Sequence, residues 1–321
     1  MHPTDACSRR RFLQIAAGGI PAAVMAATGC AGPSTNAHDG AIDTHTHFYD
    51  PTRPQGVPWP PANDPILYRT VLPGECEALA RPLGIGGTIV VEASPWELDN
   101  DWVLDLARKS RFILGLVGHL KPGRPGFREG LERLARNPLF RGIRTGGWEV
   151  DIEPGRNAYL EDLKRIADRG LSLDVLIGPE RLPDIARLAE RFPSMTIIID
   201  HVANVRVDGA LPPAAWLTGM RACGARPNIY CKGSGLVEGT GRSDGQAPAD
   251  AAPYQPVLDH VWDCFGEERL LFGSNWPVSA RFAPYPVVHG IVKRYVESRG
   301  PRATRRFFRE NALRAYRPPT G

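Results

Sequence analysis

At 321 residues, with 42% hydrophobic and 23% charged residues, the chain can bury a full core, so disorder is not its default state and one large α/β domain is as plausible as two smaller ones. Its formal net charge of +4 is small for this length. With no dense Lys/Arg stripe interleaved with aromatics, the electrostatic footprint of a nucleic-acid binder is missing, and small-molecule chemistry is favoured.

The N-terminal run carries Arg9, Arg10 and Arg11, followed by small apolar residues in a stretch too short to span a membrane stably. It reads as a removable export signal over residues 1–29. Ser8-Arg9-Arg10-Arg11-Phe12-Leu13 resembles a twin-arginine signal. Ala27-Thr28-Gly29-Cys30 resembles a lipobox, in which Cys30 is lipidated and becomes the mature N-terminus. The alternative is an ordinary signal cleaved near Ala26 or Ala27. Residues 30–40 then form a flexible tether. The expectation is a periplasmic protein, or one anchored through Cys30 and facing the periplasm, with membrane contact through that lipid alone. The remaining cysteines, Cys76, Cys223, Cys231 and Cys264, form no CxxC pair, which argues against a zinc knuckle.

From residue 41 to 317 short apolar, β-branched runs alternate with amphipathic segments. The expected strands are Ala41–Thr44, Gly87–Ala93, Phe112–Gly118, Phe140–Arg144, Leu171–Ile177, Met195–Asp200, Asn228–Cys231 and Arg269–Gly273. Between them lie helical patterns such as AYLEDLKRIADRG, closed by Gly170, and PERLPDIARLAERF, started by Pro179. Strands alternating with helices imply parallel pairing with crossovers. The pattern predicts a single-domain, distorted (β/α)8 TIM barrel, whose usual size is about 250 residues. A doubly wound open sheet is the runner-up, weakened by the absence of GxGxxG after the first strand.

In that barrel, active sites lie at the C-terminal strand ends. The first strand ends in His45 and His47, which point to one side because strand side chains alternate with period two. The second ends in Glu92, the third in His119, the fourth in Arg144, the sixth in Asp200-His201, the seventh in Lys232, and the eighth in Ser274-Asn275-Trp276. A barrel rim is polar in any case, so one histidine there means little; the pair together with His201 is harder to dismiss. Two imidazoles at a barrel mouth either bind one divalent metal or donate hydrogen bonds to a substrate carbonyl.

DTHTHFYDP after the first strand, RGIR at the fourth, LSLDVLIGPERLPDIARLAERFPSMTIIIDHV through the fifth and sixth, and LLFGSNWPVS at the eighth resemble the amidohydrolase-related group of the amidohydrolase superfamily. More narrowly they resemble its lactone-hydrolase branch, containing fuconolactonase-like and pyrone-dicarboxylate-lactonase-like enzymes. The resemblance implies a hydrolase, metal-assisted or metal-independent. In metal-dependent relatives a His from the fifth strand and an Asp from the eighth complete the site, with a Lys from the fourth in some. Here the fifth strand has no His, Asp174 lies inside it, and the fourth ends in Arg144, a poor ligand but a good carboxylate clamp. The two-metal version is disfavoured. The expected cofactor is none, or one zinc or manganese ion on His45 and His47.

The eighth strand departs from the family's GSDWP: Asn275 stands where the resemblance implies a general base, and an amide takes no proton at neutral pH. Asn275 orients the water while His201 or Glu92 acts as base, or the substrate needs little base help, or the site binds without hydrolysing. The expected mechanism has Arg144 and Lys232 orient a carboxylated or polyhydroxylated lactone. His45 and His47 stabilise the oxyanion, directly or through a metal. His201 is expected to face inward and Asp200 to hold the wall. Ser234 could hold an anionic group beside Lys232, Trp96 and Trp276 could wall the pocket, and His119 has a turn position as its plainer explanation. The competing functions are a metal-dependent amide hydrolase or decarboxylase and a non-catalytic periplasmic ligand binder.

Overall fold

A computed structural model describes residues 40–146 and 157–319. The export signal, the tether and Cys30 lie outside them. Eight parallel strands follow one another around a barrel in chain order: β1 Ala41–Thr46, β2 Ile85–Val91, β3 Ile113–Gly118, β4 Phe140–Gly146, β5 Ser172–Leu176, β6 Thr196–Ile199, β7 Ile229–Gly233 and β8 Leu270–Phe272. Every expected strand is present. β8 is cut to three residues, so closure onto β1 falls largely to the segment just beyond it. There the Asn275 amide donates to the His45 carbonyl and the His47 amide to the Trp276 carbonyl, both at 2.9 Å.

Helices cover the outside of the barrel. Between β5 and β6 a single 3-10 turn at Pro179–Arg181 leads into the helix Leu182–Arg191, whose Leu182, Ile185, Ala186, Leu188 and Ala189 are buried in the three- and four-residue rhythm of one apolar face. Gly170 has φ +65 just past the helix Asn157–Asp168, the left-handed stop that glycine permits. The last helix, Asn311–Tyr316, packs Ala312, Ala315 and Tyr316 against Ile42, Ile89, Val91, Val117, Ile198 and Leu271 from the strands. It forms the apolar floor of the barrel. Tyr316 Oη rises from this floor to donate to Asp174 at 2.7 Å, so the floor ends where the polar site begins.

Candidate active site

Three imidazoles converge at the C-terminal strand ends. The His45 ring centroid lies 5.0 Å from that of His47 and 4.3 Å from that of His201. The first spacing is the period-two expectation for β1. The second depends on an unusual backbone: His201, Val202, Ala203 and Asn204, immediately after β6, have φ of 53, 46, 57 and 50. Each left-handed residue costs about 1–2 kcal/mol, so surrounding contacts must hold the turn. Trp216 Nε1 donates to the Val202 carbonyl at 2.8 Å, and Asn204 Nδ2 to the Ile177 carbonyl at 2.9 Å. Gly235 closes over the turn with φ +67, where an added Cβ would lie 2.4 Å from His201 Cβ.

This turn corrects the expectation for Asp200. Alternation holds only in extended backbone, and the chain turns left-handed at His201, so Asp200 and His201 both enter the site. Asp200 Oδ1 lies 3.4 Å from His45 Nδ1 and 2.9 Å from Lys232 Nζ. Lys232 is also corrected. Its ammonium is committed to Asp174 Oδ2 at 2.7 Å, to Asp200 and to His45 Nδ1 at 3.2 Å, so it holds the floor of the site and has no hydrogen left for a substrate anion. Burial opposes its charge, but Asp174 and Asp200 outweigh burial and raise its pKa. Burial likewise opposes ionisation of Asp200, yet Lys232 and then His45 hold that carboxyl well below the usual range.

These contacts fix hydrogen positions. An ammonium can only donate, so its third hydrogen meets the lone pair of His45 Nδ1, placing the His45 proton on Nε2. His45 Nε2 is buried and has no hydrogen-bond partner among the described residues. It is an unused donor. Burial first, then Lys232, pushes the His45 pKa well down, which keeps the ring neutral.

His47 has the opposite polarity. Its Nδ1 meets the Val91 carbonyl at 3.0 Å, and a carbonyl only accepts, so Nδ1 carries the proton and Nε2 the lone pair. Burial and the Arg144 guanidinium lower its pKa to about 3. The expected role of His47 as an oxyanion donor is therefore replaced by that of an acceptor. Its Nε2 lies 3.1 Å from Asn275 Oδ1. Asn275 reaches this position from a left-handed backbone, φ 57, which Asn tolerates better than most residues. His201 Nδ1 bonds the Ser234 hydroxyl at 2.9 Å, so Ser234 orients an imidazole where an anion-holding role was expected. Burial lowers the His201 pKa to about 4.

A cleft of about 260 Å³ opens beside the cluster, lined by Glu92, His119, Lys121, Arg144, Thr145 and Leu176 among others. Arg144 donates through Nε to Glu92 Oε1 at 2.9 Å and through Nη2 to the Glu92 carbonyl at 2.8 Å. Glu92 is thus the counter-ion of Arg144. Burial raises its pKa while Arg144 opposes the rise. His119 lies on the cleft wall with its backbone held by Asn100 at both N and O. Neither tryptophan lines this cleft. Trp96 is 38% exposed at the surface, and Trp276 is buried with its ring against Phe48 at 6.4 Å. The aromatic near the site is Trp59, 6.0 Å from His47, carried by the Pro-rich loop after β1.

Glu238 escaped the sequence reading. GLVEGTG offers no motif, yet Asn275 Nδ2 donates to Glu238 Oε1 at 2.8 Å, and burial lifts the Glu238 carboxyl to about 7.

A protein named L-fucono-1,5-lactonase from Burkholderia ambifaria is 32% identical over 290 residues, covering 86% of this chain and 95% of the relative. Another of that name from Burkholderia multivorans is 31% identical over 276 residues, covering 80% and 89%. The crystal structure of a Burkholderia multivorans amidohydrolase with bound zinc matches at a TM-score of 0.74 and 29% identity, covering 87% of this chain and 99% of that one. The amidohydrolase family pattern itself matches residues 42–317, nearly everything from β1 onward, and the chain belongs to the amidohydrolase family.

Proposed function

We propose that this chain opens the lactone of a sugar acid, or a related carboxylated or polyhydroxylated cyclic ester, by water attack at the barrel mouth. The observation that carries this reading is the opposed polarity of two neighbouring imidazoles, His45 a donor through Lys232 and His47 an acceptor through Val91. Ester hydrolysis needs both together: a donor for the carbonyl oxygen as it becomes an oxyanion, and an acceptor for the proton of the attacking water. In this mechanism His45 Nε2–H faces the acyl oxygen while His47 Nε2 takes the water proton. That proton passes to the ring oxygen as the acyl C–O bond breaks, leaving the open hydroxy acid. His201 lies against His45 and can share this transfer. Arg144 and Lys121 supply positive charge for a carboxylate on the substrate. The two relatives named L-fucono-1,5-lactonase support the substrate class.

Members of the amidohydrolase superfamily commonly use a divalent metal, and one relative's structure holds zinc. The donor set here does not fit a resident ion. Among the described residues no group of three or more His, Cys, Asp or Glu side chains is placed to hold one. No step of this hydrolysis runs through a metal. The metal-dependent reading, with zinc or manganese on His45 and His47, predicts stoichiometric metal by elemental analysis. A non-catalytic binder, the reading favoured by Asn275, predicts ligand binding without turnover. A panel of sugar-acid and aromatic lactones, assayed by acid release on protein lacking residues 1–30, separates them; ring opening no faster than in buffer for every lactone refutes the hydrolase. We also infer twin-arginine export and lipidation at Cys30, supported by Ser8–Leu13 and by the run ending at Cys30.

A further inference from the structure

We propose that Glu238 controls which end of the Asn275 amide faces the site, so that its carboxylate form prepares a seat for the attacking water and its acid form closes that seat. The inference rests on the lactone-hydrolase reading for its consequence, but its geometry stands apart from it. Glu238 lies on the short helix Leu236–Gly239. Its Oε1 meets Asn275 Nδ2 at 2.8 Å, and its Oε2 is buried with no hydrogen-bond partner among the described residues. On the other side of the amide, Asn275 Oδ1 lies 3.1 Å from His47 Nε2, which is a lone pair because Nδ1–H is committed to Val91.

A carboxylate can only accept, so ionised Glu238 draws the NH2 end of the amide toward itself. The carbonyl end then stands beside the His47 lone pair. Two acceptors 3.1 Å apart repel unless something donates to both, and one water molecule has the two hydrogens required. A water so held directs its lone pairs away from His47 and Asn275, toward the substrate. When Glu238 is protonated its O–H is best matched by the amide carbonyl. The amide turns over, its NH2 donates to His47 Nε2, and the water loses both acceptors. The carboxylate thus stands one hydrogen bond away from the site, and Asn275 transmits its state.

The surroundings allow Glu238 to titrate in the working range. Burial lifts its carboxyl to about 7. The ionisable groups on the elements around it are the Tyr254 phenol, pushed up to about 12 and so neutral, Asp200 and His201 on the left-handed turn, Arg206 and Asp208, exposed and paired with each other at 3.2 Å, and Arg242 further along its own loop. None of them forms an ion pair with Glu238 among the described residues. Glu238 acts through Asn275 and is a positioning residue.

The test uses the full chain in two measurements. The first follows the His47 ring nitrogens by 15N NMR through pH, where the expected result is a step near neutrality in the wild type that Glu238→Gln and Asn275→Ala both lack. Absence of the step in the wild type, or its persistence in either variant, overturns the proposal. The second follows kcat against pH on a hydrolysed lactone. The wild type should lose about tenfold per pH unit on the acid side of this step, with KM steady, and Glu238→Gln should show a flat profile. A limb retained in Glu238→Gln overturns the proposal. A step in the NMR titration with no lactone hydrolysed supports the switch while removing the lactone-hydrolase reading.

Discussion

Replacing Lys232 by Met removes the ammonium buried between Asp174, Asp200 and His45. Lys232 and both carboxylates are 0% exposed, so water cannot take over the lost contacts. Removing one partner of such a buried pair costs about 3–5 kcal/mol, a large share of a total stability of roughly 5–15 kcal/mol. Activity falls for a separate reason. With the ammonium gone, His45 Nδ1 is free to carry the ring proton toward Asp200, 3.4 Å away, which turns Nε2 from donor to acceptor. Losing one oxyanion donor lowers kcat by about 10²–10³.

The pH dependence has a definite sign. In the wild type Lys232 and His45 outweigh burial and depress the folded pKa of Asp200, so its contribution is fully present above the unfolded value of about 3.9 and is lost only as pH falls through the lower folded value. In the variant the ammonium no longer opposes burial, so Asp200 loses its largest lowering influence and Asp174, already raised in the wild type, rises further. The unfolded state is then the better acid, and stability rises as pH falls. Urea unfolding followed by circular dichroism between about pH 5 and 7 should show the deficit of Lys232→Met relative to the wild type shrinking toward acid, the titration of Glu238 being common to both proteins. A deficit under about 1 kcal/mol at neutral pH, or one that does not change with pH, refutes the buried-network argument.

His47→Ala should lower kcat by about 10²–10⁴ through loss of the acceptor for the water proton, with the barrel still folded by circular dichroism; wild-type turnover in that variant contradicts the assignment. Asn275→Asp keeps an acceptor beside His47 and should preserve or raise hydrolysis at neutral pH, so complete loss of turnover would count against the water-orienting role. Gly235→Ala forces a side chain into φ +67 and against His201 Cβ, and should cost at least about 1–2 kcal/mol from the backbone alone while lowering kcat, measured by thermal unfolding and turnover. Replacing Arg9 and Arg10 together by Lys should strand the precursor in the cytoplasm on fractionation; normal export contradicts the twin-arginine proposal.

The barrel and its mouth were legible because their signals are local. Alternation in β1 placed His45 and His47 on one side, and β-branched runs separated by amphipathic stretches marked all eight strands. The errors came where local rules stop applying. Alternation sends Asp200 to the wall, and the left-handed turn at His201 breaks that alternation. Lys232 looked like a substrate clamp because a lysine at a strand end is usually solvated, and nothing nearby in sequence shows that Asp174 and Asp200, from two other strand ends, enclose it. Trp276 sits next to a site residue in sequence yet turns into the core against Phe48. The hydrogen positions on His45 and His47 depend on Lys232 and the Val91 carbonyl, both distant in sequence. Glu238 has no motif at all; its place follows from how the loop after β7 folds back to Asn275.

The central claim is that a neutral donor imidazole and a neutral acceptor imidazole, side by side, make this site a lactone hydrolase. Acid release from sugar-acid 1,5-lactones, compared between the wild type and His45→Ala, tests it most directly. The account predicts ring opening well above the buffer rate for the wild type and a loss of about 10²–10³ in kcat for the variant, with the fold intact by circular dichroism. Equal turnover in the two proteins contradicts it.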